Sequence, residues 1–554
     1  MALNPSNRKN VPEALRIALN LAMTIFGLGL LFALLVWHSG LSSLDLYVNS
    51  FYVLYVRNEP VVFLLLFLAL WLVRPYLLGD GVLADWPSPL SSERLAKIPW
   101  LWVIVPAAVL VAWQGGSLVL HCFPLSNDEY LPRFQAQIFA AGKIKAFLPP
   151  ELREFGKALT PIYATFDPQE GTWVSSYLPI YAGLRAGFLA LGVESLTSPA
   201  LAGLSLALIA GVARRLWPQE PLAPLVAVVL LASSTQFLIT SMTSYAYPAH
   251  LCFNLAWLYF YCRGDGLGNL VTPWIGFFAL GLHNPFPHAL FVTPFLLTLV
   301  LRRNWGLTLY FGLVYGAGCI LWYLWWTRLV VLNFSDLSAI QVPGLYQLII
   351  QPMNLSMLFA WQSLALTVLT FLSFIYWKDL MPFLKTLALG CLLTLGFFFF
   401  VPDQVLGWGY RFFYGVLGNL VLLAVAGWFY LKESLGFRKA WGFFLLGTAL
   451  AVLVQFPLRC LQVESFIRPF ARSAQFIQSQ PYSFAIIDHT QVWFSQLLVR
   501  NDPFLRNHPK ILFAHYLNED QLANLRTLGT VHTVKPEELA HFGLHPIKPR
   551  HDSP

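Results

Sequence analysis

Two adjacent carboxylates, Asp128 and Glu129, stand directly after a long apolar segment, in the run His121, Cys122, Phe123, Pro124, Leu125, Ser126, Asn127, Asp128, Glu129, Tyr130. A carboxylate where bilayer meets water can take a proton from a hydroxyl arriving through water, while a lipid-borne reactant arrives from the other side. The plainer use of Asp128 is to cap the helix that follows, because Asp is common near helix starts for that reason. Four other stretches carry side chains that could act with this pair. Residues 244–250 place Tyr245, Tyr247 and His250 at the start of an apolar run, either at a site or as an interfacial belt with a partnered core histidine. Residues 283–288 set His283, Asn284 and His288 in a tight connection, where free backbone N–H groups and the helix dipole suit an anion. A divalent metal is the rival use of these histidines, but a separation of five is not a recognised ligand spacing, and no cofactor is otherwise indicated. Residues 403–411 end on Trp408, Tyr410 and Arg411, whose planar fork of donors matches a lipid phosphate or snorkels to the interface. Trp173 and Tyr177, in the stretch 171–179, offer rings for a sugar or for the same belt.

The elements that must position these residues are membrane helices. Of 554 residues, 57% are hydrophobic and only 11% charged, far below the roughly one quarter of soluble domains. The fold class is therefore an all-α polytopic membrane protein. The formal charge of +8 comes without a basic tail or long Lys/Arg run, so nucleic acid is not a partner, and basic loops and anionic lipid account for the balance. The six cysteines have neither metal spacing nor a C-x-x-C, although Cys122 and Cys460 could share a side.

Arg8, Lys9 and Arg16 precede an apolar run over 17–37, too long for a signal segment, which reads as a first span starting in the cytoplasm. Further spans are expected over 61–78 and 100–120, and the loop between them carries Arg94 and Lys97, which places Asp128 and Glu129 outside. The segment 130–147 is amphipathic, with Leu131, Phe134 and Ile138 on one face, and predicts a helix lying in the interface. The external loop 121–177 is long, and long loops usually carry function. Later spans are expected over 199–217, 222–240, 247–262, 270–282, 286–301, 306–326, 355–377, 384–401, 412–431 and 441–458. If 177–193 also crossed, every later basic loop would lie outside, so it reads as re-entrant or half-buried. About thirteen spans of roughly 20 residues result, with the N-terminus cytoplasmic and the C-terminus extracytoplasmic. After 458, strand-like 485–488, 510–513 and 531–534 alternate with helix-like 491–499 and 519–528, predicting a small open-sheet α/β domain without a phosphate loop.

At the residues Asn127, Asp128, Glu129, Tyr130, then Phe134, Gln135, Ala136, Gln137 and Ala141, Gly142, Lys143, the sequence resembles the GT-C class of membrane glycosyltransferases. The resemblance is to bacterial relatives of the protein O-mannosyltransferases and the lipid A aminoarabinose transferase. Tyr177, Leu178, Pro179 resembles a Tyr-Pro-Pro start, and Arg214, Arg215, Leu216, Trp217 and the late Gly409, Tyr410, Arg411, Phe412, Phe413 support it. It departs at Leu178, where many relatives have Pro, and at His283 and Asn284, where many have Arg. The resemblance implies an inverting transfer of a sugar from a polyprenyl-phosphate donor, with Asp128 as general base and Glu129 supporting it. Composition and hydropathy divide the chain into a two-helix extension (1–98), a core that the resemblance covers (99–459) and the small extracytoplasmic α/β domain (460–554), to which the resemblance assigns nothing. The acceptor would be an envelope glycan, lipid or protein, and the location a bacterial cytoplasmic membrane. Arg411, His283, His288, Tyr177, Trp173, Tyr247 and His250 are the candidate substrate-binding residues. Two other classes would use similar residues: a transporter or flippase of a lipid-linked sugar, and an inactive envelope-assembly scaffold. Against the transporter, the sequence shows no cytoplasmic counterpart of the external site, no broken-helix pair in matching halves and no charged path across the bundle.

Overall fold

The computed structural model describes residues 11–38, 46–78, 92–330, 344–401, 404 and 406–546; Arg8, Lys9 and Asp403 lie outside the described residues. The protein is a multi-pass membrane protein, mostly helical. By length and composition, seven helices among the described residues can cross a membrane, or up to nine if each of two bent pairs counts as one. Several expected spans are shorter than a bilayer needs. Tyr247–Tyr261 has 15 residues, Gly266–Leu280 has 15 and Phe286–Leu301 has 16. Ile180–Ala190, within the stretch read as half-buried, has 11 residues, about 16 Å at 1.5 Å per residue.

The centre of the bundle is the first half of the helix Leu417–Leu450, in which every residue over 417–431 is buried. A helix apolar on all sides has no face to give to water and is surrounded by other helices. Leu364–Ile375 packs most extensively on it. At their contact a Cβ on Gly427 would stand 1.9 Å from the Leu369 carbonyl oxygen, so only glycine lets the two backbones meet. Gly436 breaks the helix at φ 76°, and the chain then runs almost continuously helical through Phe456–Gln478 to the C-terminal segment.

Two spans expected to be continuous are broken. The run 222–240 divides into Ala223–Ala232 and Thr235–Met242, bent by 59°, and 355–377 divides at its middle, where 350–360 and Leu364–Ile375 are bent by 115°. Each second helix starts on a serine cap, Ser234 accepting from Phe237 N and Ser363 from Leu366 N, which satisfies donors freed by the break. The two breaks face each other. The Trp361 carbonyl accepts from Gln236 N at 3.1 Å and Thr235 Oγ1 at 2.8 Å, and Gln362 Nε2 donates to Gln236 Oε1 at 2.9 Å. Here the broken ends are sealed against one another by buried amides and by Gln455 and Arg459, which donate to the Ala360 carbonyl. Arg459 is itself held by Glu59 at 2.6 Å, tying the Leu46–Leu78 helix into the core.

Outside the bundle lie two small sheets. Strands β1 (Ala146–Phe147), β2 (Ala164–Asp167) and β3 (Thr172–Ser175) form an antiparallel sheet in the order β1-β3-β2. Strands β4 (Phe484–Ile487), β5 (Lys510–Phe513) and β6 (Val531–Thr533) form a parallel sheet with β4 central. The helix expected over 491–499 is reduced to one turn at Ser495–Leu498, while Glu519–Leu528 is helical and starts on a capping box from Asn518. The helix expected over 130–147 is Asn127–Ala140, and Gly142 at φ 70° turns the chain into β1. Its apolar face meets protein rather than lipid. Leu131, Phe134 and Ile138 share one core with Trp173 of β3 and with Phe484, Ile486 and Leu512 of the C-terminal sheet.

Candidate functional site

Asp128 is not a helix cap. The N-cap is Ser126, and Asp128 sits in the first turn with its carboxylate turned to two partners from distant elements. Arg411 Nη1 donates to Oδ2 at 2.7 Å, and the Tyr177 hydroxyl donates to Oδ1. Each partner is fixed by its own backbone. The segment before Ile180–Ala190 pairs with the connection 281–283: Leu178 N donates to the His283 carbonyl and Ile180 N to the Gly281 carbonyl. That pairing lays the His283 ring on Tyr177 with centroids 3.9 Å apart. Arg411 begins the turn Arg411–Val416, and its N–H donates to Gln404 Oε1, while Gln404 Nε2 donates to Asn354 Oδ1 in the first arm of the broken helix. Before it, Gly409 has φ 64°, and a Cβ there would stand 2.9 Å from Gln236 Cδ and 3.0 Å from Trp361 Cγ. The junction of the two helix breaks thus sets where Arg411 starts.

Burial acts on Asp128 to raise its carboxyl, but the Arg411 charge and the hydrogen bonds from Tyr177 and Arg411 outweigh it and hold it below the ordinary carboxylate range. Glu129 has the opposite fate. It is 2% exposed, its Oε2 accepts from Ser244 N at 3.1 Å, and burial pushes it up to about 7 despite backbone hydrogen bonds at Ser244, Ser126 and Leu125 and the Arg500 charge. His283, buried beside them, is pushed down to about 4 by its burial and is neutral at physiological pH.

The two carboxylates open onto different cavities. Asp128 and Arg411 line one of about 110 Å³ together with Tyr163, Phe494 and Gln496. Glu129 lines another of about 340 Å³ with Arg133, Arg185 and Glu194, bounded by Trp113 and Gln114 of the Leu101–Leu118 helix. In that cavity Glu194 is shared between Arg185 at 2.5 Å and Arg133 at 3.3 Å.

The structure brings together Asp128, Glu129, Arg411, Tyr177 and His283, with Tyr247 beside them through the Tyr245 ring at 5.4 Å. It does not bring Trp173 to the site. That ring is fully buried, packs edge-on against Phe134 at 5.3 Å and donates to the Pro503 carbonyl, so no face is left for a sugar. His288 also lies away from Asp128. Its Nδ1 meets Asn254 Oδ1 at 2.7 Å and its Nε2 the Tyr315 hydroxyl at 2.9 Å, and Asn254 in turn donates to the Gly415 carbonyl. His288 therefore braces the far end of the Arg411 turn. His250 is buried against the same turn, with a methylene 3.8 Å from the place of a Gly415 Cβ, and its ring nitrogens meet no partner among the described residues. Among the described residues no three His, Cys, Asp or Glu side chains are grouped to hold a metal ion, and Cys122 and Cys460 are free thiols.

Two residues of the site carry no signal in the sequence. Arg500 is stacked 4.3 Å over Phe123 and 5.3 Å over Tyr130, donates to the Leu125 carbonyl at 2.8 Å, and its buried Nε and Nη1 meet no acceptor among the described residues. Burial lowers its guanidinium to about 10. Tyr163 has φ 68°, rare for a bulky residue, and its ring lies 6.2 Å from that of Tyr177.

The fold is similar to that of ArnT. The chain matches ArnT from Cupriavidus metallidurans in the apo state with a TM-score of 0.50 at 12% identity, over 80% of this chain and 87% of that one. A second ArnT structure, bound to undecaprenyl phosphate, gives a TM-score of 0.49 at 13% identity, over 79% and 88%. No protein-family model and no curated protein sequence matches the chain. What this likeness shows is a fold shared with ArnT over most of the chain.

Proposed function

We propose that the protein is a membrane glycosyltransferase that moves a sugar from a polyprenyl-phosphate donor to an acceptor hydroxyl on the extracytoplasmic side. The observation that carries this reading is the Asp128 carboxylate held between Arg411 and Tyr177 at the wall of a cavity, with Arg411 Nε buried and, among the described residues, without an acceptor. A guanidinium with an unused donor beside a carboxylate suits a reaction in which a phosphate leaves and a proton is taken.

In the proposed step the acceptor oxygen bonds to the sugar C1 as the C1–O bond to phosphate breaks. The electron pair leaves with the phosphate, whose charge Arg411 compensates, and the hydroxyl proton passes to Asp128. Asp128 in the free protein is a poor base because Arg411 and Tyr177 stabilise its charged form. A donor phosphate competes for Arg411, and as the guanidinium turns to it the carboxylate becomes more basic, so base strength is coupled to donor occupancy. Neutral His283 stacked on Tyr177 fixes the phenol that remains. Tyr247 and His250 lie behind Arg411 and hold the turn rather than the sugar.

A second reading has its own observation. Glu129, pushed to about 7, is poised for proton transfer at neutral pH and would be the base if the acceptor entered on its side. The test is purification of the protein from membranes with its bound lipid and mass spectrometry of that lipid. A polyprenyl-phosphate sugar is expected in the wild type and strongly depleted in Arg411→Ala; a wild type carrying only bulk phospholipid would count against the reading, and equal retention in Arg411→Ala would remove Arg411 from the phosphate site.

A further inference from the structure

A third cavity, of about 630 Å³, lies between the external loop and the C-terminal sheet. Its floor is at the carboxyl ends of two parallel strands: His489 follows β4, and Phe513 ends β5, with His515 and Tyr516 just beyond. Ligands of open α/β sheets bind outside the carboxyl ends of their strands, where successive connections leave side chains free of the ladder. The opposite wall is Lys157 and the segment 160–166 of the external loop.

The lining combines flat rings with donors. Tyr163 is 55% and Tyr516 50% exposed, both large values for aromatic side chains within a concave surface. The His489 and His515 rings lie 4.5 Å apart, His515 is 3.8 Å from Tyr516, and His489 Nδ1 is buried without a partner among the described residues. Lys157 adds an ammonium. A lipid tail would leave these polar groups unpaired, and a small inorganic anion would leave the rings and most of the volume unused. A saccharide matches both, since its ring faces are apolar and its edges carry hydroxyls.

The cavity is also continuous in its lining with the reaction site. Ile162 and Tyr163 line both it and the small cavity that holds Asp128 and Arg411. Tyr163 touches Tyr177, whose hydroxyl is on Asp128. The small cavity, at about 110 Å³, is well below the roughly 300 Å³ of a ligand pocket, so it admits a reacting hydroxyl and not a whole acceptor. The remainder of the acceptor must lie elsewhere.

We infer that the acceptor is a glycan whose non-reacting sugars lie in the trough between Tyr163 and Tyr516, with His489, His515 and Lys157 on their hydroxyls, and whose terminal sugar passes Tyr163 to reach Asp128. This rests on the transferase reading for the role of the bound glycan, but its binding is independent of turnover. The strained Tyr163 is the divider between trough and site, so it sets which hydroxyl is presented.

The test uses the full-length protein in lipid nanodiscs on an array of bacterial envelope oligosaccharides, with wild type, Tyr516→Ala, His515→Ala and Asp128→Asn compared. Wild type and Asp128→Asn are expected to hold the same oligosaccharides, and Tyr516→Ala and His515→Ala to bind them about tenfold more weakly. Absence of binding by wild type, or equal binding by the trough variants, would overturn the inference. Retention of glycans by a protein that transfers no sugar would sink the transferase reading and leave the trough standing.

Discussion

Removing Arg411 alone should harm the fold more than removing Arg411 and Asp128 together. The pair is 2.7 Å apart, with side chains 9% and 17% exposed, and breaking a buried ion pair from one side typically costs about 3–5 kcal/mol because the other charge is left unpaired. In Arg411→Met the Asp128 carboxylate keeps only the Tyr177 hydroxyl, and burial then drives its protonation. Adding Asp128→Asn removes the stranded charge and should return a large part of the loss. Asp128 titrates below its ordinary value in the wild type, so its contribution is present above the unfolded carboxylate range and lost as pH falls through the lower folded value. The gap between wild type and Arg411→Met should therefore be widest near neutrality and narrow in acid. The assay is a double-mutant cycle on unfolding in detergent at several pH values. Additive single effects, or a gap that does not depend on pH, would refute the coupling on which the proposed activation of Asp128 depends.

Glu129→Gln should stabilise the protein at alkaline pH. Its folded value is raised to about 7, so the stability that the wild type draws from the protonated form is present below the ordinary carboxylate range and lost as pH rises through about 7, whereas Gln does not titrate; thermal midpoints across pH read this, and parallel curves would contradict it. Gly409→Ala should keep the protein in the membrane but lower activity, because both φ 64° and the 2.9–3.0 Å approach of Gln236 and Trp361 would displace the start of the Arg411 turn; full activity would show that the turn does not depend on this contact. Trp173→Ala should cost stability of about 3–5 kcal/mol, as expected for an aromatic ring lost from a core, and leave donor dependence unchanged, measured by unfolding and by transfer kinetics.

Much of the site was legible because charged and aromatic residues stand out at the ends of apolar runs. Asp128, Arg411, Tyr177 and His283 lie in four separate stretches, and each was marked by standing where a span meets its loop. What periodicity could not separate was a ring facing a cavity from one facing a core, which is why Trp173 and His288 read like Tyr177 and His283. Hydropathy averages also pass over a break. Ser233 and Ser234, and Gln362 and Ser363, are too short to interrupt an apolar window, yet their capping hydroxyls mark where each helix restarts. Arg500 and Tyr163 were invisible for another reason: their roles come from contacts with residues more than a hundred positions away or from a backbone angle, neither of which composition records. The C-terminal strands were visible, but not that Phe484, Ile486 and Leu512 share a core with the loop carrying Asp128.

The most direct measurement is transfer of labelled sugar from a polyprenyl-phosphate donor in membranes containing wild type or Asp128→Asn, each assayed below its own unfolding midpoint. Loss of a general base should lower the rate by about 10²–10⁴-fold, with the Asp128→Asn protein still folded and still retaining the donor lipid. Near-normal transfer by that folded variant would contradict the assignment of Asp128 as the base.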